Sequence, residues 1–512
     1  MSSYKNYRHS DNKLLTVEQF NVLSAAKKHL YRSSRIKSYL AAVWNMDKEP
    51  AEEKKLKQVL ESAGFDPILE PRNIGEVDQL FEKLTYYFRD IDSSLVKDEY
   101  IEYGFKVAFK KFARPRQMVE DGKYLSPLKD KEEVVKAVKQ DKASGAPFFT
   151  QKGFVFDYVW DRLYNKVLPE KMALQPAAAY YRTTEEGKTR LVWAMSLEAI
   201  IIESRFARPL IQYFLENDSP MTIGYWSINL GSKISSYMTK RYVYTLDYSK
   251  YDMTIPRTFI LEAFKILSTW FSDEDKELLD WKLMVYNFIY TPIVMPDGNV
   301  YYGKNHGVPS GSYFTQLIDS IINVAIIMAI SKKFGLHVNA DNVFVLGDDS
   351  IFTSYTWLDT KLLSKWVKER YGIIIHPEKS ELIDTHMCRV FHYLGKYWHL
   401  GVPHRPESEV LSRIISPERR QRLSWKTVEQ AEASNALLLT RLLAYCADSN
   451  EGMLLLSRLC LDPFRPISMM RLQNIKKNLP GLTRFKIESM ELERKTKMQR
   501  FCSGGVVGMY LK

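Results

Sequence analysis

Two adjacent aspartates, Asp348 and Asp349, lie between two apolar runs in the segment VFVLGDDSIF. The apolar residues on either side predict two buried strands, with both acids at the turn between them. Two neighbouring like charges repel each other, which costs free energy unless a cation neutralises them. A Gly-Asp-Asp turn is also typical of an ordinary hairpin, because turns favour these residue types. This segment alone is therefore consistent with both a structural turn and a metal site.

A second acidic strand end lies earlier in the chain, in the segment RYVYTLDYSKYD. It begins as a strand rich in β-branched and aromatic residues, and Asp247 follows the apolar part, with Asp252 five residues later. If the two strands are neighbours, the carboxylates of Asp247 and Asp348 converge. Such a cluster suits Mg²⁺, which takes a few carboxylates together with water and substrate phosphates. Two ions about 4 Å apart can hold both ends of a phosphoryl transfer.

Neutral hydrogen-bonding groups occur in a third segment, HGVPSGSYFTQLIDSIIN, where Ser310, Thr315 and Asn323 provide them. The Ser-Gly pair allows another backbone to approach closely. Asp319 shares a helix face with both Thr315 and Asn323, because residues four apart are neighbours on a helix. A core helix whose polar groups are satisfied internally explains this segment equally well.

The elements that must position these residues mix helices with short antiparallel strands, which favours an α+β fold. Two extended pieces are predicted around a Glu-Glu-Gly-Lys turn in 180–195, and a hairpin is predicted around 295–299. Helical periodicity predicts helices in 196–217, 258–271, 310–334 (after an initial loop), 357–372 and much of the chain after 405.

Composition indicates a globular protein with a basic surface. The 512 residues include 73 Lys and Arg against 61 Asp and Glu, and 45% are hydrophobic. The charge of +12 favours a polyanionic partner such as nucleic acid, although a basic surface also serves solubility. Four cysteines without paired spacing fit a reducing compartment. The N-terminus is polar, so no signal peptide is predicted. The apolar stretch 317–330 is short and contains polar residues, so no membrane span is predicted.

Taken in order, the segments DYSKYD, SGSYFTQLIDSIIN and LGDD resemble motifs A, B and C of the viral RNA-dependent RNA polymerase palm. The segment LDYSKYDMTIP is similar to the corresponding segment of double-stranded RNA virus polymerases of the picobirnavirus and partitivirus type. The resemblance implies an α+β, closed right hand with fingers, a palm of antiparallel sheet plus helices, and a helical thumb. The implied regions are an N-terminal segment bridging fingers and thumb (1–80), fingers (81–240), palm (241–400, with a fingers insertion near 270–305), thumb (401–500) and a flexible C-terminal tail (501–512).

The resemblance also assigns catalytic roles. Asp247 and Asp348 would hold two Mg²⁺ ions, with Mn²⁺ as an alternative, and Asp349 would be a secondary ligand. These ions activate the primer 3′-hydroxyl and stabilise the leaving pyrophosphate. The segment YGIIIHPEKSE resembles motif D, where Lys379 is the candidate general acid, in competition with other nearby lysines.

Ribose recognition is assigned to Asp252, Ser310 and Asn323, with Thr315 in support. A 2′-hydroxyl both donates and accepts a hydrogen bond. A site built to bond it rejects a deoxynucleotide, because buried polar groups are then left unpaired.

Basic and template-contacting residues complete the implied site. The segment RTTEEGKTRLVW resembles motif F, with Lys188 and Arg190 on one strand face and Arg182 across the turn, all directed at the triphosphate. A solvated basic strand is the alternative. The segment ASGAPFF resembles motif G, a tight loop whose backbone amides face template phosphates, through Ser144, Gly145 and Pro147. The segment 391–406 resembles motif E, a hairpin whose aromatic residues are expected to join a core.

The function implied is RNA-directed RNA polymerisation for replication and transcription of a viral double-stranded RNA genome. Implied partners are an RNA template and product duplex, ribonucleoside triphosphates and the viral capsid protein, with no membrane, in the virion interior or host cytoplasm. One alternative is a reverse transcriptase, which usually has a bulky residue at the Asp252 position and lacks the Asn323 equivalent. Another is a noncatalytic RNA-binding, capsid-associated protein, which the acid pair disfavours.

Overall fold

The computed structural model describes most of the middle of the chain. The described residues are 57–65 without 59 and 63, 77–88, 98–165, 174–183, 189–225, 227–237, 240–296, 299–415, 445–446 and 449–458. Most of the implied N-terminal segment, much of the implied thumb and the whole C-terminal tail therefore lie outside the described residues.

Helices make up much of the described chain and include the four predicted between 196 and 372. They are α1 (Val77–Tyr86), α2 (Glu99–Phe112), α3 (Arg116–Glu120), α4 (Lys131–Ala137), α5 (Lys152–Trp160), α6 (Leu197–Glu216), α7 (Ser227–Tyr237), α8 (Tyr251–Thr254), α9 (Arg257–Ser268), α10 (Asp273–Glu277), α11 (Leu279–Tyr290), α12 (Thr315–Phe334), α13 (Thr360–Tyr371), α14 (Glu407–Ile415) and α15 (Asn450–Arg458). Among these residues, no helix is both long and apolar enough to cross a bilayer.

The strands of the described residues are short and form four sheets. They are β1 (Ala177–Thr183), β2 (Thr189–Ala194), β3 (Tyr242–Leu246), β4 (Tyr248–Ser249), β5 (Ile293–Val294), β6 (Val300–Tyr301), β7 (Val343–Leu346), β8 (Asp349–Ser354), β9 (Ile374–Ile375), β10 (Glu381–Asp384), β11 (Val390–Tyr393), β12 (Lys396–His399) and β13 (Val402–His404). Their orders are β2-β1-β5-β6, β10-β3-β8-β7, β11-β12-β13 and β4-β9.

The antiparallel sheet β10-β3-β8-β7 joins the two acidic strand ends. Strand β3 pairs with β8 so that Leu246 lies opposite Ser350. Strands β7 and β8 form a hairpin in which Leu346 lies opposite Asp349. Gly347 in the turn has φ of +68°, a left-handed conformation that glycine adopts without steric cost. The predicted strand-turn-strand is confirmed, and the predicted adjacency of the two acidic strands is confirmed with it.

Helix α12 is the buried centre of the fold. Every residue from Leu317 to Ser331 is buried, as expected for a helix that is apolar all round. Helix α2 crosses it closely, because a Cβ placed on Gly104 would lie 2.1 Å from the carbonyl oxygen of Ala325. Polar side chains on α12 therefore need partners within the protein.

Two smaller sheets flank this centre. Strands β1 and β2 pair antiparallel, and β5 and β6 form the predicted hairpin next to β1, with β1 and β5 parallel. The predicted hairpin at 391–406 is found as β11 and β12, with β13 as a third strand. Its aromatic residues Phe391, Tyr393 and Trp398 are buried in one cluster, as expected.

Candidate active site

The end of β3 fixes the main chain of Asp247. Its N–H donates to the Ser380 hydroxyl oxygen at 3.0 Å, and its carbonyl oxygen accepts from the His376 N–H at 2.7 Å. The register of β3 against β8 sets this residue beside the start of β8. Asp247 thus lies next to the Gly-Asp-Asp turn, with its backbone held from the opposite side.

The three acids at these strand ends influence one another. Asp247, Asp348 and Asp349 are all exposed to solvent, although protein surrounds the turn on most sides. Desolvation raises the pKa of Asp348 most strongly, and the Asp247 charge raises it further. Desolvation and the charges of Asp348 and Asp247 raise the pKa of Asp349 to about 7. The cluster therefore carries unrelieved repulsion that a bound cation would remove.

Helix α12 holds the turn through two side chains. The Gly347 N–H donates to the Ser320 hydroxyl oxygen at 2.9 Å. The Asn323 amide nitrogen donates to the carbonyl oxygens of Gly347 and Asp348, both at 2.9 Å, and its Oδ1 accepts from the Tyr248 hydroxyl at 3.0 Å. Both donors of Asn323 are thus engaged, and its Oδ1 accepts one hydrogen bond among the described residues, in a side chain that is fully buried. The sequence interpretation gave Ser320 no role, since only the folded turn reveals its partner.

A buried acid lies beneath the turn. Asp319 is 2% exposed, and its Oδ1 has no hydrogen-bond partner within the described part of the chain. Burial, followed by the charges of Asp252 and Asp348, raises its pKa well above the ordinary range. Burial and the Asp348 charge likewise raise the pKa of Asp252. Asp252, Asp319 and Asp348 thus lie in one region. The sequence signal for Asp319 was an acid in the middle of an apolar helix.

The chain that leads into the Ser-Gly pair runs beside Asp252. The Val308 N–H donates to the Asp252 carbonyl oxygen at 2.6 Å, and the Gly307 N–H donates to that of Ile255 at 2.9 Å. These bonds bring the segment containing Ser310 next to the segment containing Asp252.

Ser310 and Thr315 have their hydroxyl groups bonded to the main chain. The Trp193 N–H, on β2, donates to the Ser310 Oγ at 3.2 Å. The Thr315 hydroxyl donates to the Pro309 carbonyl oxygen at 2.8 Å. A Cβ on Gly311 would lie 1.9 Å from the Trp193 carbonyl oxygen, so only glycine fits. The predicted close approach of another backbone is confirmed, and β2 provides it.

Positive charge reaches the acids from β2. Arg190 is exposed, and its charge lowers the pKa of Asp252, Asp348 and Asp349, against the larger effect of burial. Arg182 lies opposite Arg190 in the β1–β2 ladder, so its backbone is beside the same site. Lys188 lies outside the described residues.

The predicted template loop is compact and bonded within itself. The Ser144 N–H donates to the Thr150 carbonyl oxygen at 2.7 Å, and the Phe149 N–H donates to that of Gly145 at 2.9 Å. Gly145 has φ of +68°, and the bond to Pro147 is cis. The tight turn is therefore as predicted, but the amides of Ser144, Phe149 and Thr150 are engaged inside the loop rather than open to a ligand.

Lys379 is exposed in the turn after β9. It immediately precedes Ser380, whose hydroxyl accepts the Asp247 N–H. The competing lysines Lys361, Lys365 and Lys368 all lie on helix α13. Among these four lysines, Lys379 is thus the one closest along the chain to a residue that contacts a site acid.

The donor set fits a hard divalent cation that brings some of its own ligands. No group of three or more His, Cys, Asp and Glu side chains in the described ranges is arranged as a ready-made metal site. Mg²⁺ rarely needs one, because it retains waters and takes only one or two carboxylates together with substrate phosphates. Asp247 and Asp348 provide such carboxylates at neighbouring, solvent-accessible positions.

Comparison with known sequences points to one family. The family model for viral RNA-dependent RNA polymerase matches residues 76–446. The RNA-directed RNA polymerase of White clover cryptic virus 1 is 25% identical over 295 residues, which cover 51% of this chain and 47% of that protein. The RNA-directed RNA polymerase of Cryptosporidium parvum virus 1 is 31% identical over 212 residues, covering 39% and 38%. The chain thus spans about half the length of these relatives or less.

Comparison with solved structures agrees. An insertion-loop deletion mutant of a human picobirnavirus RNA-dependent RNA polymerase superimposes with a TM-score of 0.61 at 16% identity, covering 98% of this chain and 96% of that one. The intact polymerase of such a virus gives a TM-score of 0.60 at 15% identity. This likeness confirms the predicted right-hand α+β fold. Because the family model covers well over half of the chain, the protein belongs to the viral RNA-dependent RNA polymerase family.

Proposed function

We propose that this chain is an RNA-directed RNA polymerase that replicates and transcribes a viral double-stranded RNA genome by template-directed nucleotidyl transfer. The pairing of β3 with β8 carries the proposal, because Asp247 then lies close enough to the Asp348–Asp349 turn for its charge to raise the pKa of both acids. The family membership and the printed activity of the relatives support the same conclusion.

The proposed reaction joins a primer to a bound ribonucleoside triphosphate. The primer 3′-hydroxyl oxygen attacks the α-phosphorus, an O–P bond forms, and the bond from the α-phosphorus to the bridging β-phosphate oxygen breaks. The hydroxyl proton passes to solvent, and Lys379 donates a proton to the departing pyrophosphate. Two Mg²⁺ ions, when bound, would acidify the 3′-hydroxyl and neutralise charge on the phosphates.

The acids at the strand ends are proposed to hold these ions. Asp247 and Asp348 are the principal ligands and Asp349 is secondary, with Mn²⁺ as an alternative to Mg²⁺. The raised pKa values support this role, since a cation relieves the repulsion among the carboxylates. Arg190, with Arg182 and Lys188, is proposed to bind the triphosphate from the opposite side.

Ribose selection is proposed for Asp252, Ser310 and Asn323, with Thr315 in support. The Asn323 Oδ1 accepts one hydrogen bond among the described residues, and an amide oxygen can accept a second one, from a 2′-hydroxyl donor. Asp319 joins the group, because its unpaired Oδ1 lies near both Asp252 and Asp348. A deoxynucleotide would leave these buried groups without a partner, which is a strong basis for rejection.

The roles of the remaining regions of the chain are proposed from their positions in the sequence. The loop of Ser144, Gly145 and Pro147 guides the template strand. The inclusion of β5 and β6 in one sheet with β1 and β2 supports assigning the 270–305 insertion to the fingers (81–240). The palm (241–400), thumb (401–500), N-terminal bridge (1–80) and flexible tail (501–512) complete the proposed hand.

The site of action is proposed to be the virion interior, next to the capsid protein, or the host cytoplasm. The support is that relatives at 25–31% identity are polymerases of cryptic and Cryptosporidium viruses. Co-sedimentation of the chain with purified particles, and its retention after washing in high salt, would test the capsid contact.

A primer-extension assay tests the activity. The full chain is incubated with a primed RNA template, Mg²⁺ and labelled ribonucleotides, with Asp348→Ala as the control. We expect a complementary RNA product that disappears when EDTA is added. Preferential extension with deoxynucleotides would identify a reverse transcriptase instead. RNA binding without any extension in Mg²⁺ or Mn²⁺ would favour a noncatalytic RNA-binding protein.

A further inference from the structure

A buried glutamate contacts the segment that carries Ser310. Glu203, on α6, is 1% exposed, and its Oε2 accepts the Tyr313 N–H at 2.8 Å. The Ser312 hydroxyl lies close enough to this carboxylate to lower its pKa, and the Ser312 Oγ accepts the Phe314 N–H at 3.0 Å. One side chain thus holds, directly or through Ser312, two consecutive amides immediately before α12.

These amides mark a helix end that has no cap of its own. The N-cap residue of α12, Phe314, makes no side-chain capping bond, and no acid occurs in the first turn of the helix. The first N–H groups of a helix need acceptors, and a negative charge there is favourable to the helix dipole. Glu203, on a neighbouring helix, places a carboxylate near this end and accepts the N–H of Tyr313, the residue before the N-cap.

The same segment is held on its other side by strand β2. The Trp193 N–H donates to Ser310, and the Trp193 carbonyl leaves no room for a side chain at Gly311. The segment from Ser310 to Phe314 therefore lies between β2 and Glu203. A displacement of this segment would move Ser310 and the first turns of α12 together.

We propose that Glu203 is a positioning residue for ribonucleotide binding, whose carboxylate fixes the Ser310–Phe314 segment and the start of α12 in the orientation that the ribose requires. The inference rests on the proposed function, because it concerns the nucleotide site of that activity. Glu203 does not touch the substrate; it acts through the main chain of Tyr313 and through Ser312.

Charged groups around Glu203 connect it to the template loop. The pKa of Glu203 is raised to about 7 because its carboxylate is buried. The Tyr313 N–H, the Ser312 hydroxyl and the charge of Lys152 offset part of this increase. Lys152 begins α5, directly after the template loop. Arg208 lies over the Tyr313 ring at 5.0 Å. As pH falls through about 7, Glu203 gains a proton and holds its two donors less strongly, so nucleotide affinity should decrease.

A matched control lies on the same helix. Glu198 is also 1% exposed, and burial likewise raises its pKa. Its Oε2 accepts the Gln175 N–H at 3.1 Å, and Arg162 lies 3.7 Å from its Oε1. Removing Glu198 should therefore cost similar packing without releasing the segment before α12.

The test compares Glu203→Ala with Glu198→Ala in the full chain. Amide hydrogen exchange of peptides covering 310–318 and 174–176 is measured, together with KM and kcat for the correct ribonucleotide on a primed RNA template. In Glu203→Ala we expect about tenfold faster exchange in 310–318. We also expect KM to increase about fivefold or more, with a smaller change in kcat. In Glu198→Ala, exchange should increase only in 174–176, and KM should stay within about twofold.

Two outcomes would overturn the inference: unchanged exchange of 310–318 in Glu203→Ala, or equal increases of KM in the two alanine variants. If Glu203→Ala does not fold, Glu203→Gln decides, because it keeps an acceptor for Tyr313 and removes the charge. It should reduce the loss of nucleotide affinity below about pH 7 relative to the wild type, whereas Glu198→Gln should retain the full loss. An identical pH profile in both glutamine variants would overturn the inference. A wild-type chain without polymerase activity would refute the proposed function. The hydrogen-exchange comparison would still test whether Glu203 holds the 310–318 segment in place.

Discussion

The acids of the candidate active site fall into two groups with opposite relations to water. Asp247, Asp348 and Asp349 lie at strand ends and are exposed, whereas Asp319 lies inside the central helix α12 and is 2% exposed. The pKa of Asp348, Asp349 and Asp319 is raised in each case, with burial as the largest cause. Only the exposed group can be reached by a hydrated cation without opening the fold.

The difference suggests a division of labour between the two groups. In the proposed function, a bound ion would relieve the repulsion among the turn acids, so their charge would serve the reaction. Asp319 lies on a buried, largely apolar helix and has an unpaired oxygen, so ionising it in the folded protein costs free energy. Substitutions in the first group should affect turnover, and those in the second should affect selectivity and stability.

The largest effect is expected for Asp348→Ala. We expect kcat to decrease at least about 1,000-fold, because a principal metal ligand is lost. RNA affinity should change by less than about threefold, since one carboxylate contributes little to phosphate binding. Primer extension and filter binding measure the two quantities. Asp341→Ala, at an exposed acid just before β7, is the control and should leave both unchanged. Primer extension by Asp348→Ala at the wild-type rate would refute the metal assignment.

A smaller loss is expected for Asn323→Ala, which removes two hydrogen bonds to the turn and a group proposed to recognise the ribose. We expect kcat to decrease about tenfold or more, and the preference for ribonucleotides over deoxyribonucleotides to narrow about tenfold. Competing extension with both nucleotides gives the ratio. Ser331→Ala, at a buried polar residue later on α12, should not change it. An unchanged ratio in Asn323→Ala would limit Asn323 to holding the turn.

Asp349→Asn should show whether the second acid of the turn is secondary. We expect kcat to decrease about tenfold, well short of the effect at Asp348, and half-saturation to require about threefold more Mg²⁺. The pKa of about 7 also predicts that the wild type gains metal affinity as pH rises through 7, because Asp349 then loses its proton. This gain should be weaker in the variant. Magnesium titrations at pH 6 and pH 8 measure both effects, and loss of activity equal to that of Asp348→Ala would make Asp349 a principal ligand.

The smallest expected effect is on stability, in the metal-free Asp319→Asn protein. The folded state raises the pKa of Asp319, so it retains a proton that the unfolded chain releases above its ordinary value near 4. The free energy of unfolding of the wild type should therefore decrease as pH rises above about 4. The free energy of unfolding of Asp319→Asn should decrease less over the same range. We expect its Tm to exceed the wild type by about 3 °C at pH 8, with a smaller difference at pH 5.5. Glu262→Gln, at an exposed residue of α9, is the control. A lower Tm than wild type at pH 8 would contradict a net cost of the buried charge.

The sequence predicted the elements and the exposed acids well, because both leave local signals. Apolar runs that end in acids marked β3, β7 and β8, and continuous hydrophobicity marked α12. Contacts between distant segments left no such signal. Nothing local shows that Ser320 accepts the Gly347 N–H, that Trp193 lies against Gly311, or that Glu203 accepts the Tyr313 N–H before α12. The amides of the template loop were expected to face phosphates, but the N–H groups of Ser144 and Phe149 are hydrogen-bonded inside the loop.

The ladder between β3 and β8 limits which insertions this protein can tolerate. Successive side chains of a strand point to opposite faces, so a shift of one residue would turn Asp247 away from Asp348. A single residue inserted near Thr245 would thus preserve every acid of the site and still separate them. The number of residues between Tyr242 and Asp247 is therefore as important to the site as the acids themselves.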